Sequence, residues 1–182
     1  MNTSSIRIIG GRNKSYRIVF KANPALRPTS DRAKETIFSW VQFEIENKTC
    51  LDLFAGTGGL GLEALSRGAQ HVTFVEKEKT LYKNILKNIS HLGYEDKIQA
   101  VCGDSFKWIK TNKRKFDYIF LDPPFNQMKY KSLLRTIYQN NTLKRDGKIF
   151  LESSKYTDIE LNNDQNVLKD KIIGDVRLMI LQ

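Results

Sequence analysis

The sequence contains few of the residues that cross-link a chain, bind metals or anchor it in a membrane. Its 182 residues include two cysteines and two histidines, and no apolar run approaches the roughly 20 residues that a membrane helix requires. Cys50 and Cys102 lie in separate apolar runs, so we expect two reduced core residues, no disulfide framework and no metal site. The first residues lack a long apolar segment before a cleavage site, so we expect no secretory signal. Together these absences predict a cytoplasmic protein.

Acidic residues are also scarce relative to basic ones, and the excess of positive charge is concentrated in two stretches. The formal net charge is +10. Residues 1–40 contain eight basic and two acidic side chains, and residues 105–150 contain eleven and three. Two basic blocks of this kind suit a protein that binds a polyanion, although lysine-rich surfaces also occur because they are well solvated.

The apolar pattern predicts alternating strands and helices. Residues 6–21 predict a β-hairpin around a glycine pair, and a helix is expected to begin near Thr29 or Ser30. Further strands are predicted near 49–54, 71–76, 97–101, 116–121 and 147–152, with helices near 59–67, 78–91, 105–112 and 128–140. This alternation predicts a mostly parallel α/β sheet with helices on both faces. Weaker strands near 157–161 and 175–181, without a convincing helix between them, predict an antiparallel hairpin at the sheet edge.

A glycine-rich loop follows the first strand of the alternating region. Residues 56–61 fit the pattern G-x-G-x-x-G, and Glu76 follows Gly56 at a spacing typical of an acid that binds a ribose. The glycines alone therefore leave a dinucleotide open as the ligand. Asp52, inside the preceding strand, favours another ligand, because its carboxylate would repel a pyrophosphate but attract the ammonium group of a methionine-type ligand. The pattern thus indicates S-adenosylmethionine.

The ends of the next two strands supply further candidate contacts to this cofactor. Glu76 is expected to accept from both ribose hydroxyls. Asp104 is expected to accept from the adenine amine, with Phe106 against the ring, although an aspartate in this position is also typical of a helix N-cap. The predicted cofactor-binding residues are Asp52, Phe54, Gly56, Thr57, Gly58, Gly61, Glu76, Lys77, Asp104, Ser105 and Phe106.

The tetrapeptide Asp122-Pro123-Pro124-Phe125 directly follows the fourth strand of this region. Its two prolines stiffen the loop and remove two backbone donors, which leaves the Asp122 carboxylate and the Pro123 carbonyl as acceptors. Such a pair can hold an exocyclic amine and direct its nitrogen lone pair, while Phe125 offers a flat face for a base. The tetrapeptide therefore predicts a site that methylates the amine of a nucleobase, with much of the catalysis arising from orientation.

With these motifs, the chain resembles class I S-adenosylmethionine-dependent amino-methyltransferases, and more closely the bacterial 16S ribosomal RNA guanine-N2 methyltransferase family of the RsmD type. The resemblance covers nearly the whole chain, through residues 7–11, 26–38, 51–58, 61–69, 116–117 and 121–125. Many methyltransferases share the glycine loop. The segments Arg-Pro-Thr-Ser-Asp-Arg at 27–32 and Glu-Ala-Leu-Ser-Arg-Gly-Ala at 63–69 are much more specific.

The resemblance implies a Rossmann-like, seven-stranded sheet and a target guanine in the 16S RNA of a small ribosomal subunit or its assembly intermediate. It implies that Asp122, Pro123, Pro124 and Phe125 form the catalytic loop, and that residues 27–35 lie over the active site. We accordingly expect a basic hairpin-and-helix extension at 1–45 and a methyltransferase domain at 46–182. We also expect a monomer that uses neither a metal nor a membrane.

Several basic residues are candidates for contact with RNA. The hairpin and the start of the first helix provide the predicted substrate-binding set of Arg7, Arg12, Arg17, Arg27, Thr29 and Arg32. The basic run at 107–115 is a weaker candidate, because such a run is also typical of a solvated helix face.

Three other functions compete with this hypothesis. A DNA adenine-N6 or cytosine-N4 methyltransferase can use the same acceptor tetrapeptide, but such an enzyme usually carries a recognition domain for which this chain has no room. A nicotinamide-dependent oxidoreductase would lack an evident proton donor, and Asp52 disfavours it. A non-catalytic RNA-binding module would not be expected to keep both the glycine loop and the tetrapeptide.

Overall fold

The computed structural model describes residues 3–21, 28–123, 130–161 and 165–182. These residues form two sheets, five α-helices and one short 3-10 turn at Glu95–Lys97. The strands are β1 (Thr3–Arg7), β2 (Arg17–Lys21), β3 (Thr49–Asp52), β4 (His71–Glu76), β5 (Ile98–Cys102), β6 (Phe116–Leu121), β7 (Leu143–Ser154), β8 (Val167–Ile173) and β9 (Val176–Leu181). The helices are α1 (Asp31–Ser39), α2 (Gly59–Ser66), α3 (Lys79–Leu92), α4 (Ser105–Thr111) and α5 (Tyr130–Gln139).

The main sheet has seven strands in the order β5-β4-β3-β6-β7-β9-β8. β3 to β7 pair in parallel, and β9 pairs antiparallel with both β7 and β8. The structure therefore confirms the prediction of a Rossmann-like, seven-stranded sheet with an antiparallel edge pair. The strand order reverses beside β3, and in such sheets ligands bind where the order reverses, outside the carboxyl ends of the strands.

Two apolar clusters cover the two faces of the sheet, as the prediction of helices on both faces requires. One cluster contains buried residues of α1, α2 and α3, whereas the other contains residues of α4 and α5. Successive residues of β3 alternate between the clusters, with Cys50 in the first and Leu51 in the second. This alternation is the two-residue period of a strand that is buried on both faces.

The N-terminal hairpin forms a separate two-stranded sheet that lies against α2 and α3. Its predicted position is confirmed, although β1 ends at Arg7 and residues 8–16 form the connecting loop. Two buried side chains fix it. Glu63, which is fully buried, accepts hydrogen bonds from the Ile9 N–H at 2.8 Å and from Arg67 Nε at 2.7 Å. Lys34, also fully buried, donates to the Arg7 carbonyl and forms an ion pair with Asp31.

The predicted strand near 157–161 is wrong, because β8 at Val167–Ile173 pairs with β9 instead. A two-residue turn joins this pair, and Gly174 adopts the positive φ of +62° that such a turn needs. β8 gave no alternating pattern because, as an edge strand, it exposes nearly all its side chains. Among the earlier strands, β3 ends at Asp52 rather than at residue 54, and β7 is longer than predicted.

The prediction of two core cysteines is half correct. Cys50 is buried and reduced, whereas Cys102 is exposed. Cys102 is the last residue of β5, the edge strand of the sheet, where no further strand covers it. No helix in the described ranges has both the length and the apolarity to cross a membrane.

Candidate active site

Three carboxylates lie at the carboxyl ends of three neighbouring strands. Asp52 is the last residue of β3, Glu76 is the last residue of β4, and Asp122 directly follows β6. Because β3 lies between β4 and β6, this is the place where the strand order reverses. The topology therefore brings together, at the carboxyl ends of the strands, the residues predicted to contact the ammonium group, the ribose and the acceptor amine.

Asp52 is held by the first turns of α2. It is 2% exposed, and its Oδ2 accepts a hydrogen bond from the Gly61 N–H at 2.9 Å. Burial, followed by the nearby charges of Asp122 and Glu76, raises the pKa of Asp52 to about 7. A buried carboxylate with neighbouring negative charges is stabilised in its ionised form by a cation, which suits the ammonium and sulfonium groups of the predicted ligand.

Glu76 ties the glycine loop to the end of β4. Its Oε2 accepts from the Gly56 N–H and its Oε1 accepts from the Glu78 N–H, both at 2.7 Å. Burial raises the pKa of Glu76. Each carboxylate oxygen carries two lone pairs, so both oxygens retain capacity for the ribose hydroxyls that the sequence predicts.

Gly61 shapes the site through the packing of α2. A Cβ atom built on Gly61 would lie 2.2 Å from Cε1 of Phe74, a core residue of β4. Glycine at this position therefore allows α2 to approach the sheet closely enough for the Gly61 N–H to reach Asp52. The structure shows that Gly61 holds the Asp52 carboxylate, and its place in the cofactor site stays a prediction.

The end of β5 carries the predicted adenine contacts. Asp104 is the N-cap of α4, where its Oδ1 accepts from the Lys107 N–H at 2.8 Å, so the capping alternative is observed and the adenine contact stays a prediction. The Ser105 hydroxyl donates to the Leu53 carbonyl and joins α4 to the β3 loop. Phe54 and Phe106 contact each other edge to face, with ring centroids 5.6 Å apart. Of the remaining predicted residues, Thr57 is buried and Lys77 is exposed.

Asp122 is bound by a residue from the far N-terminal part of the chain. Thr29, directly before the N-cap of α1, donates from Oγ1 to Asp122 Oδ2 at 2.9 Å. This contact brings the segment before α1 to the predicted catalytic loop, as the resemblance implies. Pro123 is buried. The predicted residues Pro124, Phe125 and Arg27 lie outside the described residues.

The structure separates the predicted RNA-binding residues. Arg7 forms an ion pair with Asp31 at 2.6 Å, close to the start of α1. The Arg12 N–H donates to the carbonyl of Ser66, at the end of α2 remote from the glycine loop. The side chains of Arg12, Arg17 and Arg32 are exposed. The end of the basic run at 107–115 directly precedes β6 and therefore lies at the opposite end of this strand from Asp122.

Sequence reasoning missed two buried residues on the far side of Asp122 from Asp52. Tyr130, the first residue of α5, donates from its hydroxyl to the Glu152 carbonyl at 3.3 Å. Burial, followed by the charges of Asp122 and Glu152, raises the pKa of Tyr130. Glu152 follows Leu151, the register partner of Leu121, and therefore lies beside the start of the predicted catalytic loop. A charged residue inside an apolar strand pattern was the available signal for Glu152.

The residues at the carboxyl ends of these strands fit a cationic nucleoside cofactor. The described part of the chain contains no cluster of three or more histidine, cysteine, aspartate or glutamate side chains arranged to hold a metal ion. The buried acid of β3 suits a positively charged amino-acid end, and the acid of β4 suits a ribose. This donor set is the chemistry expected for S-adenosylmethionine.

Comparison with known proteins identifies the family. The family described as "Conserved hypothetical protein 95" matches residues 6–182. A Haemophilus influenzae protein named "Ribosomal RNA small subunit methyltransferase D" is 36% identical over 180 residues, which cover 97% of this chain and 93% of that protein. The Escherichia coli K12 protein of the same name is 30% identical over 181 residues, covering 99% and 91%.

Solved structures agree with this assignment. "Putative methyltransferase yhhF" from Escherichia coli superposes with a TM-score of 0.87 at 30% identity, covering 98% of both chains. A more distant methyltransferase, solved in complex with SAH, shares the fold with a TM-score of 0.73 at 16% identity and covers 91% of this chain. The buried acids that end β3 and β4, together with the methyltransferase relatives, make S-adenosylmethionine the expected cofactor, and the chain belongs to the ribosomal RNA small subunit methyltransferase D family of class I methyltransferases.

Proposed function

We propose that this protein transfers a methyl group from S-adenosylmethionine to the exocyclic N2 amine of a guanine in the 16S ribosomal RNA of the small subunit. The observation that carries the proposal is the position of Asp122, which directly follows β6 beside Asp52 and accepts a hydrogen bond from buried Thr29. The names of the relatives support a small-subunit RNA as the acceptor.

The cofactor-facing residues bind and orient a cation. When bound, S-adenosylmethionine supplies an electrophilic methyl group on a sulfonium. Asp52 attracts the ammonium group, and Glu76 accepts from the ribose hydroxyls while its backbone hydrogen bonds keep the glycine loop in place. Phe54, Gly56, Thr57, Gly58, Lys77, Asp104, Ser105 and Phe106 complete the proposed cofactor site, with Gly61 supporting Asp52.

The acceptor-facing residues orient the amine. The lone pair of a guanine amine is delocalised into the ring, so the amine is a poor nucleophile. Hydrogen bonds from its two hydrogens to the Asp122 carboxylate and the Pro123 carbonyl favour the pyramidal form, in which the lone pair can point at the methyl carbon. After transfer the nitrogen carries a positive charge and readily loses a proton, and Asp122 is placed to accept it. Pro124 and Phe125 would complete the loop and stack on the base.

The basic N-terminal part is proposed to contact the RNA. Arg7, Arg12, Arg17, Arg27, Thr29 and Arg32 form the proposed substrate-facing set, within the unit at 1–45 that accompanies the methyltransferase domain at 46–182. Exposed arginines on a hairpin suit phosphate contacts, which position an RNA without reading its sequence. We further infer that the protein acts as a cytoplasmic monomer on a subunit or its assembly intermediate, without a metal or a membrane.

A methyl-transfer assay tests the proposal. Labelled S-adenosylmethionine is incubated with the protein and, in separate reactions, with small ribosomal subunits that lack the modification, free 16S RNA or duplex DNA. The matched control is Asp122→Asn, which keeps the size of the side chain but removes its charge. We expect label in the subunit RNA as N2-methylguanosine. The rate for Asp122→Asn should be at least about 100-fold lower, because the side chain at position 122 then carries no negative charge and can no longer accept the proton.

Each of the other outcomes contradicts a defined part of the proposal. Label in DNA alone would favour a DNA methyltransferase. Label in another nucleoside of the subunit RNA would contradict guanine N2 as the acceptor. Full activity of Asp122→Asn would contradict the role of the catalytic loop.

A further inference from the structure

We infer that Thr29 is a positioning residue for Asp122, whose hydroxyl group sets the orientation of the carboxylate that meets the acceptor amine. The inference rests on the proposed function, because Asp122 is the residue proposed to hold that amine. It concerns an interaction between residues 93 positions apart in the chain, which no local motif indicates.

Asp122 needs an orienting partner because of the geometry of its side chain. The torsion that turns the carboxylate plane of an aspartate is broad, so the side chain alone does not define where its oxygens point. Thr29 Oγ1 donates a hydrogen bond to Asp122 Oδ2 at 2.9 Å, and Thr29 is only 7% exposed. A hydrogen bond from this buried donor restricts the rotation of the carboxylate plane and so fixes where the oxygens of Asp122 point.

Thr29 can orient Asp122 because its own position is well defined. It directly precedes Ser30, the N-cap of α1, whose Oγ accepts from the Ala33 N–H at 3.1 Å. The first residue of the helix, Asp31, forms ion pairs with Arg7 at 2.6 Å and with the fully buried Lys34 at 3.1 Å. The donor is thus placed at the start of a helix that is tied to the hairpin.

A structural role for Thr29 is the competing explanation, and substitutions separate the two. Thr29→Val keeps the shape of the side chain and removes the donor, Thr29→Ala removes the donor in a smaller side chain, and Thr29→Ser keeps the donor. The matched control is Thr36→Val, which makes the same exchange at a buried threonine within α1.

The experiment measures single-turnover methyl transfer to small ribosomal subunits, together with the KM for subunits, the Kd for S-adenosylmethionine and the melting temperature of each variant. We expect Thr29→Val and Thr29→Ala to lower the single-turnover rate about tenfold to hundredfold, the usual effect of losing one hydrogen bond to a charged group. The Kd and KM should change less than about threefold, a range that corresponds to well under 1 kcal/mol. Thr29→Ser should recover most of the rate, and Thr36→Val should resemble the wild type.

The outcomes distinguish this inference from the proposed function. Thr29→Val and Thr29→Ala variants that methylate subunits as fast as the wild-type protein would overturn the positioning role alone. So would a Thr29→Ser variant as slow as Thr29→Val, or a Thr36→Val variant with an equal loss. A wild-type protein that transfers no methyl group to any acceptor would overturn the proposed function and this inference with it.

Discussion

At the scale of single residues, Asp52 is the most strongly perturbed carboxylate of the described site. It is 2% exposed, and its pKa is raised to about 7 by burial and then by the charges of Asp122 and Glu76. An unfolded aspartate has a pKa of about 3.9. Below about pH 7 the neutral form is therefore favoured in the folded protein without ligand, whereas a cationic ligand favours the ionised form.

This pKa shift predicts how stability depends on pH. Because the folded-state pKa lies above the unfolded one, the contribution of Asp52 is fully present below about pH 4 and is lost as the pH rises through about 7. We expect the free energy of unfolding to fall over that range, by at most about 4 kcal/mol. Asp52→Asn, which keeps an acceptor for the Gly61 N–H, should lack this component. Urea titrations between pH 4.5 and 7.5 measure the free energy of unfolding of both proteins. Parallel plots of this free energy against pH would contradict the assignment.

The same residue predicts how cofactor binding depends on pH. Affinity for S-adenosylmethionine should rise from pH 5.5 to 7.0 as Asp52 ionises, a range below the usual pKa of an α-amino group near 7.7–8.0. The Asp52→Asn variant should bind S-adenosylmethionine more weakly at pH 7.0, and its affinity should change less with pH. Any pH dependence of the affinity that persists is attributed to Glu76. Calorimetric titration measures both constants. An identical pH dependence in the two proteins would show that another group governs binding.

Glu76 predicts a separable effect on affinity. We expect Glu76→Gln to weaken binding of S-adenosylmethionine about tenfold to hundredfold, because hydrogen bonds to a charged acceptor contribute about 1.5–3 kcal/mol each. Glutamine keeps one acceptor for the Gly56 or Glu78 N–H, so the loop is less disturbed than by alanine. Equilibrium dialysis measures the affinity, with the melting temperature as the control for folding. Unchanged affinity would place the ribose elsewhere.

At the scale of elements, the close approach of α2 to β4 builds the site. The helix can lie this near the sheet because residue 61 has no Cβ, which would fall 2.2 Å from the Phe74 ring. The same approach delivers the Gly61 N–H to Asp52 at 2.9 Å. The packing of α2 is therefore coupled to the proposed cofactor contact of Asp52 at one position.

This coupling predicts a double effect for Gly61→Ala. The added methyl group should lower the free energy of unfolding by about 1–3 kcal/mol, as overpacking of a core does, and should weaken binding of S-adenosylmethionine by displacing the donor to Asp52. The control is Gly103→Ala, where the nearest atom to an added Cβ is 3.8 Å away. Urea titration and calorimetry measure the two effects. A stable Gly61→Ala protein with normal affinity would contradict the packing argument.

At the scale of the whole molecule, the basic residues of the hairpin and those at 113–115 belong to different elements of the fold. The hairpin arginines Arg12 and Arg17 are exposed on the N-terminal unit, whereas Lys113 and Lys115 are exposed just before β6. β6 has six residues, a length of about 20 Å, so Lys113 and Lys115 lie far from Asp122; Arg12 likewise lies at the end of α2 that is remote from the glycine loop. A net charge of +10 therefore does not by itself define one RNA-binding surface.

The proposed contact of the hairpin with RNA predicts a difference between these two sets of basic residues. Reversing Arg12 and Arg17 to glutamate should weaken substrate binding and reduce the slope of log K against log salt by about one for each phosphate that the protein no longer neutralises. Reversing Lys113 and Lys115, the matched change in net charge, should leave the slope close to that of the wild type. Filter binding at several salt concentrations measures both. Equal slopes for the two double variants would contradict a specific role for the hairpin.

Much of the fold, and the acids that end three of its strands, could be predicted from the sequence. The predictions that were wrong share one cause. The parallel core strands have continuous apolar runs, and the acids Asp52, Glu76 and Asp122 stand at their ends, so local pattern was sufficient. The wrong strand near 157–161 and the exposure of Cys102 both concern the edges of the sheet. An edge strand is covered on fewer sides, and its sequence therefore carries less of the apolar pattern on which such predictions depend.

The sequence by itself determined the order of strands and helices, the glycine loop and the acids that end three strands, because periodicity and turn chemistry act between near neighbours. Only the tertiary structure decided that Thr29 contacts Asp122 and that Asp52 is buried with a pKa near 7. Hydrogen bonds, burial and electrostatic proximity depend on distance in space. Thr29 and Asp122 are 93 positions apart in the chain, and no local pattern signals the hydrogen bond of 2.9 Å that they form in the folded protein.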